Sequence, residues 1–261
     1  VIVMRRMCLA LILLLLSVPA FAAMQAKPVA WKVGKQSFSG FLVYDDSSKE
    51  QRPGLVMVPD WYGVTSAAVE KAKQVAGDDY VILVVDMYGK KVRPKDDKAA
   101  LAQVKKLYGD IPALRARITQ AVEVLKSQAG KAPLDASKIG AFGYCFGGAT
   151  VLELARSGAQ LAGIVTFHGG LQAYGAKAEA VKTPLLVLNG ADDESTAPFV
   201  ADFEKEMTAA GADWQFVNFS GAVHCFALET ANKPGCMYNQ RAAKRAYKMM
   251  DNFFEERFGE D

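Results

Sequence analysis

A cysteine lies at the centre of a glycine-rich turn that has the spacing of a nucleophile elbow. Residues 143–148 read Gly-Tyr-Cys-Phe-Gly-Gly and follow the apolar run 139–142. In a Gly-x-nucleophile-x-Gly turn the reactive residue has a strained backbone, so the residues two before and two after it must be small. Gly143 and Gly147 meet that requirement. The pattern predicts a strand, a sharp turn and a helix, with the Cys145 thiol at the helix N-terminus, where peptide dipoles favour a thiolate.

A cysteine nucleophile needs a base to take its proton and an acid to orient that base. The chain has two histidines. His224 follows the last predicted strand, where the base of such a triad belongs, whereas His168 ends the strand after the elbow and is interpreted as a structural or pocket-lining residue. Of the two candidate acids we prefer Asp193, because it stands three residues after Gly190, and Asp192 stays the alternative. The order nucleophile, acid, histidine is that of an α/β-hydrolase.

Backbone N–H groups would be needed to stabilise the oxyanion that forms when a carbonyl is attacked. The N–H of Phe146, just past the nucleophile, is one candidate donor. The second candidate is Trp61, in the loop after the predicted strand 54–58. Trp61 and the adjacent Tyr62 either wall an apolar pocket or pack against the core.

Apolar runs and helix-periodic segments alternate through most of the chain. A parallel sheet covered by helices on both faces has this pattern, and such sheets bind ligands at the carboxyl ends of their strands. We therefore predict an α/β fold with a mostly parallel central sheet, preceded by antiparallel edge strands in residues 31–44 around Gly40. The predicted parallel strands are 54–58, 80–85, 138–142, 162–167, 185–188 and 214–219, and the predicted helices are 67–76, 111–128, 149–156, 199–210 and 239–258.

Length and charge favour one globular domain with a small-molecule partner. The chain has 261 residues, 51% of them hydrophobic, and a formal net charge of +3. The length and the hydrophobic fraction are enough to bury one sizeable core. The positive charge is too small to predict nucleic-acid binding. The lysine-rich segment 90–98 is interpreted as a solvated loop. A monomer or a small homo-oligomer is expected.

The first 22 residues have the pattern of a secretory signal. Arg5 and Arg6 precede the apolar run 9–16, and Ala20 and Ala22 supply the small residues that a signal peptidase reads. The apolar run is shorter than the ~20 residues that span a bilayer, so we expect cleavage rather than anchoring. The prediction is a signal at 1–22, a single catalytic domain at 23–261, a periplasmic or secreted location and no stable membrane association afterwards.

Export would leave an odd number of cysteines in an oxidising compartment. Cys145, Cys225 and Cys236 follow the signal. A local disulfide between Cys225 and Cys236 would leave Cys145 free, but sequence separation alone does not establish a geometry that can be bridged.

Four segments together resemble the dienelactone hydrolase family of α/β-hydrolases. They are 143–148, Asp-Met-Tyr-Gly at 86–89, Gly-Ala-Asp-Asp at 190–193 and Gly-Ala-Val-His-Cys-Phe at 221–226. The resemblance implies a hydrolase of lactones or esters that uses no metal or cofactor. It implies that Cys145 is the nucleophile, His224 the base and Asp193 the orienting acid.

Three positions differ from the family pattern. Members usually carry His-Glu-Trp-Trp-Gly where residues 59–63 read Pro-Asp-Trp-Tyr-Gly, and the family glutamate interacts with the thiol and aids its activation. Asp60 has the same charge and a shorter reach. Members that cleave dienelactone also hold the substrate carboxylate with arginines, and the matching positions here are Lys90 and Leu228. A lysine attracts a carboxylate only as a point charge and leucine does not attract it, so the pattern argues against a dienelactone substrate.

The sequence thus predicts a cysteine-dependent hydrolase of small carboxylic esters or lactones that forms a thioester intermediate. The alternative is a periplasmic thiol-based binding or redox protein on the same fold, although the chain has no Cys-x-x-Cys motif.

Overall fold

The computed structural model describes residues 24–175 and 180–259. The predicted signal, residues 1–22, lies outside the described residues. The strands are β1 (Met24–Val33), β2 (Gln36–Asp45), β3 (Arg52–Val58), β4 (Val81–Val84), β5 (Leu134–Tyr144), β6 (Ile164–Phe167), β7 (Leu185–Gly190), β8 (Trp214–Phe219), β9 (Asn232–Lys233) and β10 (Cys236–Met237). The helices are α1 (Ser66–Ala76), α2 (Asp97–Tyr108), α3 (Ile111–Lys126), α4 (Phe146–Arg156), α5 (Val200–Ala209) and α6 (Gln240–Phe258).

One mixed sheet of eight strands forms the centre of the molecule, in the order β1-β2-β4-β3-β5-β6-β7-β8. From β4 to β8 all neighbours are parallel, and β1 and β2 add an antiparallel edge. The middle strands β3, β4, β6 and β7 are buried along their whole length, because helices cover both faces. The predicted α/β-hydrolase architecture is confirmed.

Two apolar clusters, one on each face of the sheet, form the core. One includes Leu114 and Ile118 of α3 with Leu152 of α4, and the other includes Ala72 of α1 with Phe254 of α6. The sheet thereby lies between two helical layers, and the carboxyl ends of its parallel strands share one edge. None of the helices within residues 24–175 and 180–259 is long and apolar enough to span a membrane.

The N-terminal hairpin turns at Gly34 and not at Gly40. The chain reverses between Val33 and Gln36, at Gly34, and Gly40 lies inside β2. A Cβ at Gly40 would lie 2.0 Å from the carbonyl oxygen of Val84, so this glycine allows β2 to approach β4 closely. Antiparallel strands at the sheet edge are confirmed, but Gly40 is not their turn.

Helix α2 was not expected from the sequence. Segment 90–98, interpreted as a solvated loop, overlaps the first turn of α2. The helix begins there because the Asp96 side chain caps it by accepting the N–H of Ala99 at 2.8 Å. Only three residues of α2 are buried, Ala100, Val104 and Leu107. A helix with so narrow an apolar face gives a weak periodic signal.

Candidate active site

The elbow has the backbone strain that its glycines predict. Cys145 joins β5 to α4 with φ 53° and ψ −114°, a conformation that residues with a side chain rarely adopt. A Cβ at Gly143 would lie 2.3 Å from the carbonyl oxygen of Gly147, and a Cβ at Gly147 would lie 2.0 Å from that of Val58. Both positions therefore exclude any side chain. The Cys145 N–H donates to the carbonyl of Phe167 at 3.1 Å, which fixes the turn to β6.

Three side chains from three strand ends meet above the sheet. His224 Nε2 lies 3.1 Å from Cys145 Sγ, and His224 Nδ1 lies 2.7 Å from Asp193 Oδ2. The carboxylate accepts, so Nδ1 carries the proton and Nε2 faces the sulfur. Asp192 is exposed and its carboxylate is not part of this chain of contacts. Of the two alternative acids, Asp193 is the one that contacts His224.

The electrostatics of the site favour a protonated imidazole at His224. Burial lowers the pKa of His224, but its interactions with Cys145 and Asp193 outweigh burial and raise the pKa to about 10. Burial would raise the pKa of Asp193, and the hydrogen bonds from His224 and Ser195 bring the pKa below its usual value. At neutral pH the arrangement therefore holds an imidazolium between the Asp193 carboxylate and the Cys145 sulfur.

Ser195 supports Asp193 and was missed by the sequence analysis. Its backbone N–H and its hydroxyl both donate to Asp193 Oδ1, at 3.0 and 2.6 Å. The carboxylate thus uses one oxygen for Ser195 and the other for His224. The signal was available, because Asp-x-Ser after a strand is typical of an Asx turn.

The N–H groups of Phe146 and Trp61 are the predicted oxyanion donors, and their role stays a prediction. Phe146 begins α4, so its N–H has no intrahelical acceptor. In the loop after β3 the N–H groups of Tyr62 and Gly63 donate to the side chain and the carbonyl of Asp60, and within the described contacts the N–H of Trp61 has no acceptor. Tyr88 fixes this loop by donating its hydroxyl to the Trp61 carbonyl at 2.8 Å.

Aromatic rings cover one side of the elbow. Tyr88 stacks on Phe146 at a centroid distance of 5.5 Å, and Tyr108 packs on Phe146 at 5.8 Å. Tyr174, in the loop after β6, stacks on Tyr108. Burial, with a further contribution from the negative charge at Cys145, raises the pKa of all three phenols, so they stay neutral donors.

Asp60 and Leu228 lie on the other side, where they line a cavity of ≈ 180 Å³ together with Tyr144 and Lys71. Asp60 Oδ1 accepts the N–H of Tyr62 at 2.9 Å, and burial raises the pKa of this carboxyl. No described hydrogen bond joins Asp60 to Cys145, so its activating role stays a prediction.

Lys90 and Tyr62 lie outside the row of three groups. Lys90 is exposed, and its backbone N–H donates to the Ser37 carbonyl. Tyr62 is half-buried and its hydroxyl donates to Asp97, which also accepts Lys233 at 3.0 Å. Among the described residues no group of three or more His, Cys, Asp or Glu is arranged to hold a metal ion.

His168 is fully buried against the site. Its ring centroid lies 5.0 Å from that of His224 and 5.4 Å from that of Phe226. None of the described residues hydrogen-bonds to either of its ring nitrogens, and its φ is 41°. The interpretation as a structural or pocket-lining residue agrees with this burial.

The disulfide between Cys225 and Cys236 is present, and Cys145 is a free cysteine. The pairing that the odd cysteine count made plausible is confirmed. Cys225 directly follows His224, so the cross-link lies beside the row formed by Cys145, His224 and Asp193.

Comparison with known proteins points to a single family. The sequence model of the dienelactone hydrolase family matches residues 38–258, which include every group of the site. An uncharacterised protein of Caenorhabditis elegans is 31% identical over 156 residues, which make up 56% of this chain and 94% of that protein.

Two solved structures are similar over nearly the whole chain. A structure named m3DLH is 32% identical, covers 90% of this chain and 99% of its own, and superposes with a TM-score of 0.84. A dienelactone hydrolase-like promiscuous phosphotriesterase from metagenomic libraries is 36% identical, covers 91% of this chain and 100% of its own, and has a TM-score of 0.82.

Proposed function

The chain belongs to the dienelactone hydrolase family, and on that premise we propose that it hydrolyses small carboxylic esters or lactones with Cys145 as the nucleophile. The observation that carries the proposal is the continuous row from Cys145 Sγ through His224 to Asp193, with contacts of 3.1 and 2.7 Å. A thiolate paired with an imidazolium is an activated nucleophile beside its own proton donor.

The reaction begins when the thiolate attacks the carbonyl carbon and the carbonyl π electrons move to oxygen. The N–H groups of Phe146 and Trp61 stabilise this oxyanion. When the tetrahedral intermediate collapses, the C–O bond breaks and the leaving alkoxide takes the proton from His224 Nε2. A thioester on Cys145 remains, and in a lactone the alcohol stays attached to the acyl group.

Water completes the cycle. Neutral His224 takes a proton from a water molecule, whose oxygen attacks the thioester carbonyl, and collapse of the second intermediate expels the thiolate. The products are the carboxylic acid and the starting thiolate–imidazolium pair. Asp193 stays ionised and holds the imidazole with Nε2 toward the sulfur.

The test is hydrolysis of a small neutral activated ester, p-nitrophenyl acetate, by the wild type and by Cys145→Ala. We expect turnover only in the wild type, and an acetyl group on the peptide that contains Cys145 after acid quenching. Undiminished turnover by Cys145→Ala would sink the proposal. A thiol that alkylates rapidly, with no turnover of a panel of esters, lactones and thioesters, would favour the thiol-based binding or redox protein instead.

A second candidate activity is hydrolysis of phosphotriesters. It is favoured by the 36% identity to the promiscuous phosphotriesterase. The same thiolate would attack phosphorus and displace an aryloxide, with the phosphoryl oxygen at the two N–H groups. Release of p-nitrophenol from a diethyl aryl phosphate by the wild type, absent in Cys145→Ala, tests it.

We also propose that the mature protein acts outside the cytoplasm. The signal pattern of residues 1–22 and the Cys225–Cys236 disulfide support this location, because such bonds persist in oxidising compartments. The N-terminal sequence of the exported chain should begin after Ala22. Recovery of the uncleaved chain in the cytoplasm alone would contradict the proposal.

A further inference from the structure

A cross-linked hairpin begins at the catalytic base. We call residues 224–239 the histidine hairpin. Its two arms are joined by the disulfide between Cys225 and Cys236 and by the short pair of β9 and β10. The cross-link lies one residue from His224. A shift of the Cys225 backbone would therefore move the His224 backbone as well, because one peptide bond joins the two residues.

Two backbone hydrogen bonds join the same two arms that the disulfide links. The N–H of Met237 donates to the carbonyl of His224 at 3.0 Å, and the N–H of Asn239 donates to that of Phe226 at 3.0 Å. Both bonds need the second arm of the hairpin to lie beside the first. The disulfide joins the arms at the same height as these hydrogen bonds, because Cys236 also forms a β-bridge with the backbone of His224.

The two arms of the hairpin differ from its tip in packing, because Phe226 and Ala227 of the first arm are buried in the core. Residues 232–235 at its tip are all exposed, and β9 and β10 have two residues each. Short surface segments with few buried apolar contacts open at low free-energy cost. The disulfide therefore adds a covalent restraint beside the exposed tip, whereas the far end of the second arm is fixed where Asn239 caps α6.

Cys145 is held by different means. Its conformation is fixed by β5, by α4 and by two glycines that allow no side chain. The distance of 3.1 Å between His224 Nε2 and Cys145 Sγ thus joins a rigid elbow to a loop that a disulfide restrains.

We propose that the Cys225–Cys236 disulfide is a positioning element for His224, and that its reduction slows the reaction by moving the imidazole away from Cys145. This inference rests on the proposed function for its effect on turnover. It concerns the redox state of the cross-link and leaves the nucleophile and its chemistry unchanged.

Reduction by a dithiol can proceed at the exposed side of the bond. Cys225 is buried and Cys236 is half-buried, so a reductant thiolate attacks the Cys236 sulfur and Cys225 leaves as a thiolate that takes a proton. The second thiolate of the reductant then closes on the mixed disulfide and releases Cys236. Two electrons pass from the dithiol to the protein, and the dithiol becomes a cyclic disulfide. Cys145 is already a thiol and is unchanged.

The expected effect is large because proton transfer depends steeply on geometry. A misplacement of about 1 Å in a catalytic group can cost ~100-fold in rate. We expect kcat to fall roughly 10- to 100-fold with KM changed by less than about threefold, since the disulfide does not touch the proposed oxyanion donors.

The first experiment compares the wild type with the double variant Cys225→Ala, Cys236→Ala, each with and without dithiothreitol, on p-nitrophenyl acetate. The wild type should lose rate on reduction, whereas the double variant should be slow in both conditions. The reduced wild type folds with its disulfide before reduction, so it tests the proposal even if the double variant fails to fold.

The second experiment measures the rate at which iodoacetamide alkylates Cys145 at neutral pH. A free cysteine is only a few per cent thiolate at pH 7, so loss of the imidazolium partner should slow alkylation about tenfold. The matched control is Phe258→Leu, at the far end of α6, which lowers the thermal midpoint without touching the hairpin. It should alkylate like the wild type.

Equal kcat and equal alkylation rates with and without the disulfide would overturn the proposal, as would an equal loss in Phe258→Leu. Alkylation needs no substrate, so this readout separates the two proposals. If no ester is turned over but reduction still slows alkylation, the proposed function fails and the positioning role of the disulfide stands.

Discussion

The two histidines of this chain are close neighbours with opposite electrostatics. Their ring centroids lie 5.0 Å apart, each at the carboxyl end of a strand. His224 has a carboxylate on one nitrogen and a sulfur on the other, and its pKa is raised to about 10. Burial lowers the pKa of His168 well below its ordinary value, the neighbouring His224 lowers it further, and neither ring nitrogen has a partner among the described residues.

The difference shows that partners, and not position along the sheet, decide which histidine carries charge. Both rings are removed from water, which disfavours imidazolium. Only His224 has a partner on each ring nitrogen, the Asp193 carboxylate and the Cys145 sulfur, to outweigh that cost. A neutral His168 also avoids a second positive charge beside the imidazolium. The burial that keeps His168 uncharged therefore helps His224 to keep its positive charge.

The largest contrast should come from replacing each histidine in turn. His224→Gln removes the proton acceptor of the thiol, and kcat on an activated ester should fall at least about 10³-fold. His168→Asn should keep kcat within about tenfold, because His168 contacts no reacting atom and asparagine tolerates its positive φ. Steady-state kinetics of both variants check this expectation. Equal losses in the two variants would show that His168 takes part in the chemistry.

A second contrast replaces the partner of His224 and leaves the ring in place. Asp193→Asn removes the charge that holds Nδ1–H, and kcat should fall roughly 10²- to 10⁴-fold, as when the imidazole takes the wrong tautomer. The adjacent Asp192→Asn is the matched control, and its kcat should change less than about threefold because this side chain is exposed. A large loss in Asp192→Asn would reverse the assignment of the acid.

The elbow and the parallel strands of the sheet could be predicted because both follow from short-range rules. Gly143 and Gly147 flank Cys145 at a spacing that the backbone alone dictates, and the structure leaves no room for a Cβ at either. The buried strands read as continuous apolar runs, so their ends, and the residues on them, could be placed along one edge.

What could not be predicted depends on which distant segments pack together. The contact between His168 and His224 joins residues 56 positions apart. No sequence pattern near either histidine indicates this contact. Gly40 belongs to the predicted edge strands, but its constraint is the carbonyl of Val84 on another strand, which the local sequence does not indicate. Ser195 is the exception, since its bond to Asp193 is local and an Asx turn could have been predicted there.

A third contrast concerns stability at alkaline pH. The folded pKa of His224 is raised above its unfolded value of about 6.5, so its contribution is fully present below pH ~6.5 and is lost as pH rises through about 10. The wild type should therefore exceed His224→Gln in thermal midpoint by several degrees at pH ~7.5, and the gap should close toward pH ~10.5. Thermal melts of both proteins across this range measure it. A gap that widens with pH would contradict a charged His224.

The smallest contrast has the opposite sign and belongs to His168. Its folded pKa is depressed below about 6.5, so the unfolded chain binds a proton that the folded chain refuses, and stability falls as pH drops below ~6.5. The slope for one such group is about 1.4 kcal/mol per pH unit. His168→Asn, which has no proton to bind, should therefore lose less stability than the wild type between pH ~6.5 and ~5.5, by ~1 kcal/mol or roughly 2–4 °C in thermal midpoint. His224→Gln is the control, because it keeps His168 and should retain the acid sensitivity that His168 confers. If the wild type and His168→Asn lost equal stability between pH ~6.5 and ~5.5, the buried His168 ring would accept a proton in the folded protein. The two histidines would then differ less in pKa than their surroundings indicate.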